Sequence, residues 1–99
     1  MLIVAGRFRV DPTLRDDFIR SREPAMRRSR GEAGCLTYVF SADPIEPDVV
    51  HLYERWATKA DLGAHLEVNR STPRPLVEIP LLESEIAQYE VAATGPVGS

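Results

Sequence analysis

Apolar and polar positions along the chain change period several times, and each change marks an element. Residues 2–10 alternate, with Val4, Gly6, Phe8 and Val10 on one face and Ile3, Ala5, Arg7 and Arg9 on the other, which predicts a strand. Gly6 is informative inside it: an interior strand glycine costs stability and marks a bulge, a close approach to the backbone or a packing need. Asp11-Pro12 then supplies an N-cap acceptor followed by a proline where a helix tolerates it, and Leu14, Phe18 and Ile19 begin an apolar stripe at helical spacing. Pro24 interrupts the stripe and predicts a kink or break before Ala25 and Met26 resume it; Gly31 and Gly34 end the element. Cys35 to Ala42 reads as a second strand, with Leu36, Tyr38 and Phe40 on one face and Cys35, Thr37 and Val39 on the other. Asp43-Pro-Ile-Glu-Pro-Asp48 is a loop, and Val49 to Trp56, rich in β-branched and aromatic residues, is a third strand.

Thr58 followed by Asp61 is a helix start signal, and the periodic pattern predicts a helix over about Lys59 to Asn69. Leu76 and Ile79 suggest a short helical segment limited by Pro80, Glu83 to Val91 the last strand, and residues 92–99 a flexible tail. The order β-α-β-β-α-β is the split βαβ arrangement of an α+β fold, one domain over residues 1–91. Neither face of the strands is conspicuously polar, so a sheet with helices on one face and a partner subunit on the other is expected.

Charge and composition narrow the function classes. A net charge of −3 argues against a general nucleic-acid binder. Arg27, Arg28 and Arg30 form a local basic cluster suited to the last turn of a helix, where it complements the dipole. No apolar run approaches the ~20 residues that span a bilayer, and the apolar N-terminus is too short for a signal peptide, so the expectation is a cytoplasmic protein without membrane partners. The single cysteine, Cys35, offers no disulfide and no metal framework. No phosphate loop, clustered metal ligands or Ser/His/Asp order is present, which favours a protein with no cofactor and no metal.

One stretch carries a family likeness. Glu54-x-Trp56, then Ala60-x-Leu62-x-Ala64-His65, preceded by Gly34-Cys35-Leu36-x-Tyr38, resembles the antibiotic biosynthesis monooxygenase (ABM) domain, including small quinol monooxygenases, over roughly residues 2–91. The resemblance implies a ferredoxin-like fold of the dimeric α/β-barrel type, a homodimer, and often a cofactor-independent oxygenase using dioxygen on a small aromatic or polyketide-like hydroquinone or anthrone. A non-catalytic dimeric ligand-binding or regulatory domain is the alternative. Haem-degrading relatives use an asparagine on the first strand and an axial histidine after the second helix. Here Ala5 and Gly6 stand on that strand, and Arg70 to Leu82 contains no histidine, which argues against haem degradation.

Leu62, His65, Leu66 and Asn69 recur at i, i+3, i+4 and i+7, placing two polar side chains on a core-facing stripe. A substrate that reduces dioxygen once deprotonated needs a dry aromatic pocket, a proton acceptor and donors to the developing oxyanion. His65 is the candidate acceptor, with Trp56 and Asn69 as donors; a half-buried structural histidine is the competing reading. Tyr38, Phe40, Tyr53 and Phe8 are candidate substrate-lining aromatics, or simply core. His51, on the strand face opposite Trp56, can point to a subunit interface. Glu54 shares the Trp56 face and, if buried, needs a partner such as Arg7 or Arg9.

Overall fold

The computed structural model describes residues 1–74 and 78–99. Its elements run β1 (Leu2–Arg9), a 3₁₀ turn (Pro12–Leu14), α1 (Arg15–Ser21), α2 (Glu23–Arg30), β2 (Cys35–Ala42), β3 (Val49–Trp56), α3 (Lys59–Ser71) and β4 (Glu83–Glu90). The four strands form one antiparallel sheet in the order β2-β3-β1-β4. This is the ferredoxin-like α+β arrangement, with the helices packed on one face of the sheet.

Local chemistry explains the boundaries. Asp11 accepts from the Thr13 N–H at 2.9 Å and opens the 3₁₀ turn. Pro24 breaks the first helix as expected: α1 ends at Ser21, and the proline sits in the first turn of α2, where its missing N–H has no cost. Thr58 caps α3 by accepting from Asp61 N–H at 3.1 Å, and α3 runs two residues beyond Asn69. Leu76, half of the expected short helical segment, lies outside the described residues; its neighbours 72–74 and 78–81 form no helix. Ile79 instead packs against the Val10, Phe18 and Val50 cluster.

Two further departures come from close backbone geometry. A register shift between Cys35 and Thr37 marks a β-bulge, and one extra residue reverses the alternation. Cys35, not Leu36, therefore packs beside Tyr38 and Trp56, and Leu36 is half exposed. On β1, Gly6 is required by approach: a Cβ there would lie 1.7 Å from the Glu85 carbonyl oxygen of β4.

The core has two parts. Leu2, Tyr38, Trp56 and Leu62 form one cluster, joined by Met26 from α2. Val10, Phe18 and Val50 form the other, with Phe8 and Phe40 against them. The loop between β2 and β3 is tied from beneath by one residue: Arg15 Nη1 donates to the carbonyls of Asp43, Glu46 and Val49 at 3.0, 2.8 and 3.3 Å.

A buried histidine between two carboxylates

The strand-to-helix junction brings three candidate residues together. Trp56 ends β3 fully buried, and the Thr58 cap fixes the entry of α3 so that Leu62 and His65, one turn apart, both face the sheet. His65 is 2% exposed, its ring 4.6 Å from the Trp56 ring and 5.3 Å, edge-on, from that of Tyr38. Asn69, a further turn along, lies at the surface end of the stripe with Leu66, which is partly exposed rather than core.

One hydrogen-bonded chain assigns donor and acceptor along the row Arg28, Asn69, His65 and Glu32. Arg28 can only donate, so Asn69 Oδ1, 2.6 Å away, is the acceptor and its Nδ2 is the donor. That amide stands 3.1 Å from His65 Nε2, which must therefore accept. The ring proton is then on Nδ1, donated at 2.8 Å to Glu32 Oε1. Nε2 is thus directed at Asn69, and a carboxylate stands behind the other ring nitrogen.

Glu54 is the second carboxylate. It is 5% exposed and pairs with neither Arg7 nor Arg9, whose guanidinium groups point to the opposite side and meet Glu46, Glu85, Asp48 and Glu83. Alternation along β1 explains the difference, since odd positions leave the helix face. Glu54 instead accepts from Trp56 Nε1–H at 2.9 Å and lies 3.9 Å from His65 Nε2. The Trp56 donor is thus engaged by a carboxylate. Burial pushes the Glu54 carboxyl above its ordinary value, and the Trp56 bond pulls it back. Burial also pushes the Tyr38 hydroxyl up to about 12, with the Glu54 charge adding to it, so that phenol stays protonated at neutral pH.

The four candidate lining aromatics separate. Phe8 and Phe40 interlock with Phe18 at centroid distances of 6.0–6.1 Å, and Tyr38 extends that row toward His65. Tyr53 is on the other side of the sheet, where with Ala5, Gly6, Arg7, His51 and Tyr89 it lines an open concavity of ≈ 630 Å³. Its parity with His51 rather than Trp56 was the available sequence signal. His51 pairs there with Asp43 at 2.7 Å. Among the described residues no group of three or more His, Cys, Asp or Glu side chains is arranged to hold a metal ion. Glu32 and Arg28 are the two members of the chain that sequence reasoning missed: Glu32 lies 33 positions from His65, in a turn with no periodicity to announce it.

Fold and site together define a ferredoxin-like α+β protein with a buried histidine–carboxylate pair between α3 and the sheet. The sequence profile of the antibiotic biosynthesis monooxygenase family matches residues 1–69, and the chain belongs to that family. It is 32% identical over 66 residues to an uncharacterized protein of Synechocystis sp., a match covering 67% of this chain and 45% of that relative. The chain therefore spans less than half of that relative's length. Among solved structures, a candidate antibiotic biosynthesis monooxygenase from Deinococcus radiodurans superposes with a TM-score of 0.70 at 15% identity, with both chains fully covered. The haem-degrading MhuD of Mycobacterium tuberculosis, solved with two haems in its active site, gives 0.72 at 7% identity, covering 97% of this chain and all of that one. These likenesses show a shared fold.

Proposed function

We propose that the protein is a monooxygenase that activates a small aromatic or polyketide-like hydroquinone or anthrone by removing a proton, with His65 Nε2 as the acceptor. One observation supports this best: a buried imidazole held as the Nδ1–H tautomer by Glu32, with its Nε2 lone pair turned toward Asn69 at the surface end of the α3 stripe. Glu32 then stabilises the imidazolium that forms when Nε2 takes a proton. The substrate is its own reductant. For an anthrone methylene, the carbanion delivers electrons to dioxygen; one oxygen atom enters the carbon as a carbonyl and the other leaves as water. Tyr38, protonated and with its ring against that of His65, is our candidate donor to developing negative charge.

Replacing His65 with glutamine tests the assignment. Oxygen consumption with an anthrone, corrected for autoxidation, falls by about 10²- to 10⁴-fold if His65 is the base. Equal rates above background in wild type and His65→Gln refute it. A second reading, a dimeric ligand-binding domain without turnover, is favoured by the commitment of the Trp56 N–H to Glu54, which leaves that donor nothing to give a substrate.

The same proposal includes a homodimer formed through the outer sheet face. That face presents Tyr53, Tyr89 and the apolar Ile3, Ala5 and Ala87 uncovered by helices, and β4 is exposed along nearly its whole length. Light scattering at micromolar concentration should give twice the chain mass; a monomer rejects the dimer.

A further inference from the structure

Asn69 holds a position that a ligand would have to take. It links His65 Nε2 to the surface along the bonded chain, it stands at the exposed end of the α3 stripe, and its two heteroatoms satisfy two different partners. The partner on the outer side is unusual. Arg20 and Arg27 bond to Asp17 and Glu23, whereas among the described residues the Arg28 guanidinium meets only neutral oxygens, Asn69 Oδ1 at 2.6 Å and Thr72 Oγ1 at 3.2 Å. Its Nε is buried without a partner among the described residues. A cation so placed, one carboxamide away from the imidazole Nε2, is complementary to an acceptor and a donor set side by side.

We propose that the Asn69 carboxamide is a built-in occupant of the site, and that the ligand class it stands in for is an aromatic hydroxyl ortho or peri to a carbonyl or carboxylate. The hydroxyl donates to His65 Nε2 where Asn69 Nδ2 does now, and the neighbouring oxygen accepts from Arg28 in place of Asn69 Oδ1. The dimensions agree. The nitrogen and oxygen of a carboxamide are about 2.3 Å apart from standard bond lengths. A hydroxyl and its ortho or peri carbonyl oxygen lie about 2.5–2.7 Å apart, the span of a short O–H···O contact. Thr72 remains on Arg28 throughout, so the guanidinium is held in place while its other bond is exchanged. Displacing Asn69 needs only a side-chain rotation at a surface position. The same exchange gives a selectivity rule: a lone phenol wins His65 but strands Arg28, and a lone carboxylate does the reverse.

This inference rests on the proposed use of His65 Nε2, and its test is a binding measurement without turnover, so the two fail separately. The probes are 3-hydroxy-2-naphthoate, 2-naphthol and 2-naphthoate, titrated against the full chain by Trp56 fluorescence and by the side-chain amide NMR signals of Asn69. The hydroxynaphthoate should bind at least about 10-fold tighter than either single-function probe and shift the Asn69 amide signals. Arg28→Gln should weaken the hydroxynaphthoate by about 10- to 100-fold and leave 2-naphthol little changed. Asn69→Ala should tighten the hydroxynaphthoate by about 3- to 10-fold, because an internal competitor is gone. Weaker binding by Asn69→Ala overturns the proposal, since it makes Asn69 a direct contact. So does equal affinity for the three probes in wild type, a measurement that depends on no variant. Loss of oxygenase activity in His65→Gln with no Asn69 effect leaves the base assignment standing and sinks this inference alone. Selective binding that follows Arg28 and Asn69 with no oxygen consumption keeps this one and sinks the oxygenase.

Discussion

Glu54 shows how one side chain's surroundings set its chemistry. It is 5% exposed, its one strong partner is an indole N–H, and burial raises its proton affinity. The sign of the consequence follows from linkage. A carboxyl whose folded value lies above its unfolded one binds more protons in the native state, so stability falls as pH rises from the unfolded carboxyl range through the raised folded value. Glu54→Gln keeps an acceptor for Trp56 without the charge. Its melting temperature should match wild type near pH 4 and exceed it at pH 8 by about 4–8 °C, the equivalent of about 1 kcal/mol. A variant less stable than wild type at pH 8 would show that the carboxylate is held there by a net favourable interaction. At this scale the sequence was legible where periodicity speaks: Trp56, His65 and Asn69 do converge, because strand end, cap and helical repeat fix them. Glu32 and Arg28 were not legible, because contacts with a helix 33 and 41 residues away have no local signature. The arginine partner expected for Glu54 failed for a related reason, since β1 alternation sends Arg7 and Arg9 to the other face.

Elements follow the same division. Strands β1 to β4 and the proline break were written in alternation, caps and breakers, whereas the bulge at Cys35 and Thr37 was not, and it inverted the roles of Cys35 and Leu36. The loop between β2 and β3 is an element in its own right. Beside the three Arg15 donations, the Asp43 carboxylate accepts from the N–H groups of Glu46 and Ile45 at 2.8 and 3.0 Å and meets His51 at 2.7 Å. The Glu46 bond foremost, then His51, then Ile45, lower its carboxyl to about 2. A depressed acid contributes stability that is complete above the ordinary carboxyl range near pH 4 and is lost as pH falls toward 2. Asp43→Asn should therefore be less stable than wild type at pH 6, and the gap should narrow steadily between pH 4 and pH 2 in chemical denaturation. A gap that stays constant over that range would remove Asp43 from the acid response.

Taken whole, the molecule places its chemistry and its uncovered surface on opposite sides of one sheet. Helices α1, α2 and α3 bury the histidine, its carboxylates and most of the aromatics. The outer face carries Tyr53, Tyr89 and His51 in the open. Strand parity assigns those sides from sequence, and the outer one is the face on which we propose the dimer. The homodimer expected there has a physical motive: a chain of 99 residues buries a smaller share of its surface than larger domains do, so an interface adds materially to stability.

The approach of β4 to Gly6 has a consequence for how this site can change over generations. The strand midpoint beneath the helices is bare backbone, and the neighbouring carbonyl of Glu85 already fills the space that a Cβ needs. Any heritable substitution at position 6 must therefore arrive together with a change in how β4 is seated. A lineage that replaces Gly6 faces a double step with an unstable intermediate. Under the exchange proposed above, new specificities would be reached sooner by varying Arg28, Asn69 and Thr72, whose side chains meet at the surface.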